Sequence, residues 1–274
     1  MKTYRNYITG AAIICFATIT LMISGCKKDK EETKDPPALP PKSGFVMNFS
    51  DFSNANDTLG STRNFATYNN WGYSYLNVVW WNAFLTVGLA VPVASFNESF
   101  NHEAVYHPDA GNWTWSYNVT VGQAVYAAEL TGSLVADSVL WEMRITKGNE
   151  FSNFLWYYGK SDLLQTGGYW ILKESPTNQV NLIKIDWLRY SNNTADIRYT
   201  NIKPGAPENG WYIYYGSMAN AFDRFYNIYN KNLDNLTIIE WNSTTKNGHV
   251  RDPHQYQNTD WHCWDETLQD IVCP

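Results

Sequence analysis

Leu182-Ile183-Lys184-Ile185-Asp186-Trp187-Leu188-Arg189-Tyr190, then the polar Ser191-Asn192-Asn193, then Asp196-Ile197-Arg198-Tyr199-Thr200-Asn201, decide how this chain folds. Apolar residues recur at every second position on both sides of a turn-forming cluster, the period of a strand with one buried face. If the two runs form a hairpin, Ile185, Trp187, Ile197 and Tyr199 must share that face, because a one-residue slip turns one set outward. Setting Trp187 opposite Ile197 and Ile185 opposite Tyr199 achieves this. It also puts Asp186 opposite Arg198 on the outer face, an opposite-charge pair worth ~0.2–1 kcal/mol. A shift by two would oppose Lys184 to Arg198 and Asp186 to Asp196, like against like. One register is expected.

The same period extends outward from this hairpin. Trp113, Trp115, Tyr117 and Val119 alternate with polar neighbours, as do Val139, Trp141, Met143 and Ile145. Further strand-like runs lie at 124–134, 154–159, 168–174, 211–216, 225–230, 236–242 and 248–252, with Gly148, Gly167-Gly168, Pro204-Gly205, Asn209-Gly210 and Asn247-Gly248 as turn signals. About eleven short strands in sequence predict an antiparallel meander, apolar on one face and polar on the other. Upstream, residues 71–90 are apolar nearly all round, with Trp80, Trp81, Phe84, Leu85 and Leu89 on several faces. Length favours a core helix there over a buried strand pair. Pro92 should end or kink it, with 93–104 continuing as a second helix. Residues 45–52 read as a strand or a docking segment.

The expected fold class is α+β, mainly β: a large antiparallel meander, as a curved sheet or open barrel, packed over an N-terminal helical segment. A β-sandwich or a closed up-and-down barrel is the alternative. The expected arrangement resembles the half-barrel of the lipoprotein-carrier (Lol) family, where a meander closes over helices and a greasy cavity. The resemblance is one of architecture and element order over about residues 45–252; it carries no motif and transfers no residue.

The N-terminus carries an address. Lys2 and Arg5 precede an apolar run over 11–23, too short for a membrane span of about 20 residues but suited to a signal-peptide core. It ends in Ile23-Ser24-Gly25-Cys26, which resembles the lipobox of bacterial lipoproteins, and that resemblance implies cleavage before Cys26 and lipid on its thiol. The charged stretch from Lys27 to Glu32 is similar to the leader of surface-exported lipoproteins of Bacteroidota, implying the outer membrane and the cell surface, with the periplasmic face as the alternative. The expected organisation is therefore a signal peptide at 1–25, a lipidated charged and Pro-rich tether at 26–43, and one globular domain at 44–274. Within that domain, 44–110 is the helical part and 111–274 the meander with a C-terminal cap.

The formal charge is −6, from 20 Lys and Arg against 26 Asp and Glu. Losing Lys2 and Arg5 with the leader leaves 18 against 26, or −8. An acidic chain without basic runs argues against a nucleic-acid partner. No G-x-S-x-G, P-loop, G-x-G-x-x-G or H-E-x-x-H occurs, so no catalytic residue and no cofactor is assigned. Of four cysteines, Cys15 leaves with the leader and Cys26 takes lipid, so Cys263 and Cys273 are expected to form a disulfide in an oxidising compartment. The competing reading is a metal site from His254, His262 and Cys263, whose spacing fits no zinc pattern.

Aromatic residues make up 16% of the chain, with 13 Trp and 19 Tyr. Most fit inward strand positions. Adjacent rings must face both sides, however, so Tyr157 and Tyr158, and Trp211, Tyr212, Tyr214 and Tyr215, are the candidate binding residues. Two functions compete as binding modules: an envelope lipoprotein holding a lipid, acyl or protein partner, and a surface glycan binder. The third reading is a glycan hydrolase with carboxylates around Asp260, Asp265, Glu266 and Glu240, beside His249 and His254. Asp57-Thr58-Leu59 and Asp137-Ser138-Val139 resemble the O-glycosylation acceptors of Bacteroidota.

Overall fold

The computed structural model describes residues 34–52, 68–190 and 195–274. The leader, Cys26, the Asp57 triplet and the 191–193 turn lie outside them. Lys34–Pro274 forms one compact unit. Two helices come first, α1 (Asn69–Gly88) and α2 (Ala90–Glu98). The strands begin with β1 (Val105–His107), β2 (Asn112–Val121), β3 (Ala124–Val135), β4 (Ser138–Lys147) and β5 (Phe151–Asp162). They continue with β6 (Gly167–Lys173), β7 (Asn181–Arg189), β8 (Ala195–Asn201), β9 (Tyr212–Ser217) and β10 (Arg224–Asn230). The last are β11 (Asn235–Trp241), β12 (Gly248–Arg251), a short helix α3 (Pro253–Tyr256), β13 (His262–Trp264) and β14 (Asp270–Ile271).

Among the described residues, fourteen strands form one antiparallel sheet in sequence order, β1 to β14, without closing. This is the expected meander as an open, curved sheet. The eleven expected runs are all present; β1, β13 and β14 are additional, each of two or three residues. The β7–β8 register is the expected one, with Trp187 opposite Ile197, Ile185 opposite Tyr199 and Asp186 opposite Arg198. Pairing of the charges differs. Asp186 takes Lys184 of its own strand at 2.6 Å, while the Arg198 guanidinium lies 3.8 Å over the Tyr212 ring.

The segment 45–52 is a docking segment. It crosses the concave side of the sheet with Phe45, Met47 and Phe52 buried. An extended segment without a ladder must find other partners for its backbone, and here aromatic polar tips supply them. Trp170 Nε1 donates to the Gly44 carbonyl (3.0 Å), and the Tyr226 hydroxyl to that of Asn48 (3.0 Å). The Tyr199 hydroxyl donates to the Phe45 carbonyl (2.7 Å) and accepts from Met47 N–H (3.0 Å). Rings with one polar atom thus fill the core and satisfy the strap together.

Docking begins earlier in the chain than position 44. Trp113 Nε1 donates to the Lys34 carbonyl at 3.0 Å, and Pro40 is buried. The prolines at 36, 37, 40 and 41 have no N–H to satisfy, so this stretch lies against the unit without ladder partners. Residues 34–43, expected as part of the tether, therefore belong to the compact unit.

Beside the strap lie the helices, whose segments Asn69–Gly88 and Ala90–Asn101 meet at 71°. The break falls at Leu89, ahead of Pro92. Proline lacks the N–H that would reach Gly88 and crowds that carbonyl, so the helix restarts with Pro92 in its first turn, where the missing donor costs little. Trp71, Val78, Trp81, Leu85 and Phe96 join the strap and the inner face of the sheet in one core. Phe45 stacks on Phe96 at 4.6 Å and meets Trp170 at 5.4 Å.

Candidate functional site

One flank of α1 and the β10–β11 turn enclose a cleft of about 240 Å³. Tyr73, Asn77, Trp80 and Trp81 come from successive turns of α1. Tyr229, Asn230 and Asn235 come from the sheet, Trp211 from the residue just before β9, and Asp252 and His254 from the start of α3. Trp80 is 46% exposed. Its ring is parallel to that of Phe84, at 5.8 Å, and lies 6.0 Å from Trp211. Stacking restricts the indole and leaves part of it to solvent.

The polar floor is organised by Asp252, a buried carboxylate. It caps α3 by accepting from the backbone of His254 (3.0 Å) and Gln255 (2.9 Å). It also accepts from Tyr73 (2.5 Å), Asn235 (2.8 Å) and the Thr237 hydroxyl. Burial pushes its pKa up, but bonds from Thr237, Tyr73, Gln255 and Asn235 outweigh that and hold it below the usual carboxylate range. Burial and the same carboxylate push the Tyr73 phenol up. Asp252 is thus fully occupied as a structural acceptor, and it is the one carboxylate lining the cleft.

Other groups at the cleft are less committed. Asn77 donates to the Tyr73 carbonyl, leaving its Oδ1, and Asn230 accepts through Oδ1 from Asn232 and Leu233, leaving its Nδ2. Trp211 Nε1 is buried without a partner. The arrangement offers flat apolar faces beside amide and imidazole hydrogen-bonding groups.

The six candidate rings separate. Tyr157 is fully buried against Phe45 and Trp170, so it belongs to the core and cannot form a binding surface. Its position alternates inward with Gly159, and burial pushes its phenol well above the usual range. Tyr215 also points inward, donating to Asp51 at 2.8 Å. Tyr158, Tyr212 and Tyr214 are half-buried and alternate with these inward positions, so they lie on the convex face. Tyr212 stacks on Tyr229 at 5.2 Å, and Tyr214 donates to Asp196 at 2.5 Å. Trp211 alone reaches the cleft. The reading of residues 71–90 as a core helix hid Trp80, which supplies the other ring.

At the C-terminus Cys263 and Cys273 form the expected disulfide, which commits the sulfur that the metal reading needed. Glu240 and His249, paired across β11 and β12, bond at 2.8 Å. The imidazole is sandwiched by Trp261 at 3.7 Å and Phe222 at 4.4 Å. The structure thus joins Glu240 to an imidazole, whereas glycoside hydrolysis needs a second carboxyl. Asp265 accepts from Thr267 and Gln269 as a turn residue. Ser138 is buried and bonded to Asp137, whereas a glycosyl acceptor needs an exposed hydroxyl.

Comparison with protein-family models, with curated proteins and with solved structures yields no match to this chain.

Proposed function

We propose that this protein is a non-catalytic, lipid-anchored envelope protein that captures glycan chains in the Trp80–Trp211 cleft. The anchor is the lipid on Cys26, and the setting is the outer membrane, facing the cell exterior. The observation that carries the glycan reading is the half-exposed, stacked Trp80 beside Trp211, flanked by Asn77, Asn230 and His254. A pyranose ring has an apolar C–H face and a hydroxyl edge; an indole covers the first, and amides and imidazole serve the second. The cleft falls below the roughly 300–1,000 Å³ of sites that engulf a small molecule, which suits part of a longer chain.

Lipid cargo has less support. The concave side is filled by the strap and helices, and the apolar groove between them, lined by Met47, Phe49, Leu85, Leu89 and Val93, is about 220 Å³. Hydrolysis has less support too, since the cleft has one carboxylate and its lone pairs are taken.

A panel of neutral oligosaccharides, read by calorimetry, tests the proposal. At least one should bind, and Trp80→Ala and Trp211→Ala should each weaken it tenfold or more, with Tyr158→Ala unchanged. Absence of binding across the panel, or binding indifferent to both tryptophans, would overturn it.

A further inference from the structure

The two walls of the Trp80–Trp211 cleft offer hydrogen bonds of fixed polarity. A free carboxamide can turn either its donor or its acceptor end to a ligand, but neither amide here is free. Asn77, on the α1 wall, holds its Nδ2 against the Tyr73 carbonyl at 2.9 Å. The end it has left for a ligand is Oδ1, which only accepts. Asn230, on the β10–β11 wall, is oriented the other way. Its Oδ1 accepts the backbone N–H groups of Asn232 and Leu233 at 3.0 and 3.2 Å, so its remaining end is Nδ2, which only donates. Turning either amide over would set acceptor against acceptor or donor against donor. Beside Asn230, Leu233 is 50% exposed at the turn, and it lines the cleft together with Ile228. Among the described residues no Lys or Arg lines the cleft, and its one charged carboxylate is Asp252.

We propose that the cleft selects glycans carrying an N-acetylated amino sugar and holds the 2-acetamido group between Asn77 and Asn230. This rests on the glycan reading of the cleft and narrows it to one sugar class. A trans secondary amide points its N–H and its C=O in opposite directions. Set between the two walls, its N–H donates to Asn77 Oδ1 and its carbonyl accepts from Asn230 Nδ2. The acetyl methyl, on the carbonyl side, then meets Leu233 and Ile228, while the pyranose face stays on Trp80. A hydroxyl at the same ring carbon is too short to reach both walls and brings no methyl, so it leaves one amide end and the apolar side unused. A uronic acid would bring a carboxylate to a cleft that has no cation to receive it and a negative group already in its floor.

The test compares chitotetraose with cellotetraose by calorimetry on the intact protein. Both are β-1,4 tetramers, and they differ only in acetamido against hydroxyl at C2. Chitotetraose should bind about tenfold more tightly or better. Asn230→Asp keeps the acceptor that the turn needs and replaces the donor with a second acceptor, which a hydroxyl can satisfy and a carbonyl cannot. It should bring the two affinities within about threefold of one another. Asn77→Ala, at a helix position that favours Ala, should narrow the preference in the same way with the melting temperature retained. Trp80→Ala should weaken both tetramers and keep their ratio, since the ring face is common to both. Equal affinity of the two tetramers in the wild type, or a preference that survives both Asn variants, would overturn the acetamido assignment and leave the glycan reading standing. Binding of neither tetramer, with another neutral oligosaccharide bound, would do the same. Binding of no oligosaccharide at all would overturn both.

Discussion

The carboxylate of Asp270 caps α1 at Asn70 from 200 residues away. It accepts the Asn69 and Asn70 backbone N–H groups at 3.0 and 2.9 Å, while Tyr68, the N-cap residue, offers no side-chain cap. The Asn70 side chain adds a bond to the Cys263 carbonyl at 3.0 Å and accepts from the Tyr256 hydroxyl at 3.1 Å. Asp270 lies inside the loop closed by Cys263 and Cys273. The C-terminal cap thus fixes the start of the helix that walls the cleft.

Replacing Asp270 with Ala should cost about 1–2 kcal/mol, the range for a lost N-cap with a carboxylate at the positive end of a helix. Breaking the disulfide with Cys263→Ser/Cys273→Ser should cost about 2–3 kcal/mol by the chain-entropy account of a short loop. Because the disulfide loop holds the cap, the two losses should be less than additive in a denaturation cycle. Strict additivity would show that Asp270 is held without the disulfide.

Much of this fold was legible in the sequence because period two is a local signal. The Trp187–Ile197 register followed from the apolar face together with the opposition of Asp186 to Arg198, and the structure has it. The Asp186 charge pair was misjudged because Lys184, two residues along the same face, is nearer than sheet geometry makes Arg198. The strands β13 and β14 are too short to carry a period. Their pairing is set by the disulfide and by Asp270, contacts that sequence order does not announce. The cleft was half legible: Trp211 stood out among adjacent rings, whereas Trp80 came from a helix whose exposed side shows no polarity. A charge-free run on a helix that cannot be wholly enclosed was the available signal.

Stability should fall in acid through Asp252. Its folded pKa lies below the unfolded value of about 3.9, so its contribution is complete above that value. It is lost as pH falls through the folded pKa. Chemical denaturation from pH 6 to pH 2 should therefore give a decline that is shallower in Asp252→Asn, which has no charge to lose. Asp252→Ala should cost about 2–4 kcal/mol at neutral pH, because Thr237, Asn235 and Tyr73 lose their acceptor in a buried site. Equal acid slopes for wild type and Asp252→Asn would contradict this role.

Tyr157 offers the opposite case. Its hydroxyl is buried and has no hydrogen-bond partner, and a buried unsatisfied group costs roughly 1–3 kcal/mol. Tyr157→Phe keeps the ring contacts with Phe45 and Trp170 and removes that group, so it should be neutral or stabilising by up to about 1 kcal/mol. It should leave oligosaccharide binding unchanged. A loss above 1 kcal/mol would mean that the hydroxyl has a partner in solution, such as a buried water.

Glycine opposite tryptophan is a repeated device of the inner face. Gly132 faces Trp141, Gly159 lies between Trp141 and Trp170, and Gly168 faces Trp187. At Gly159 an added Cβ would stand 2.3 Å from the Tyr169 carbonyl oxygen and 2.6 Å from Trp170 Cε3. The missing side chain therefore lets the indole lie against the neighbouring strand, which is how a sheet this rich in Trp packs without separating its strands. Gly159→Ala should cost about 1–3 kcal/mol as an overpacked core position. For a domain of this size that lowers the melting temperature by roughly 2–4 °C per kcal/mol. Pairing it with Trp170→Phe should recover only part of the loss, because the smaller ring relieves Cε3 while the carbonyl contact remains. An unchanged melting temperature for Gly159→Ala would mean that the β5–β6 pair opens at little cost, and full recovery in the double variant would mean that the ring alone sets the spacing.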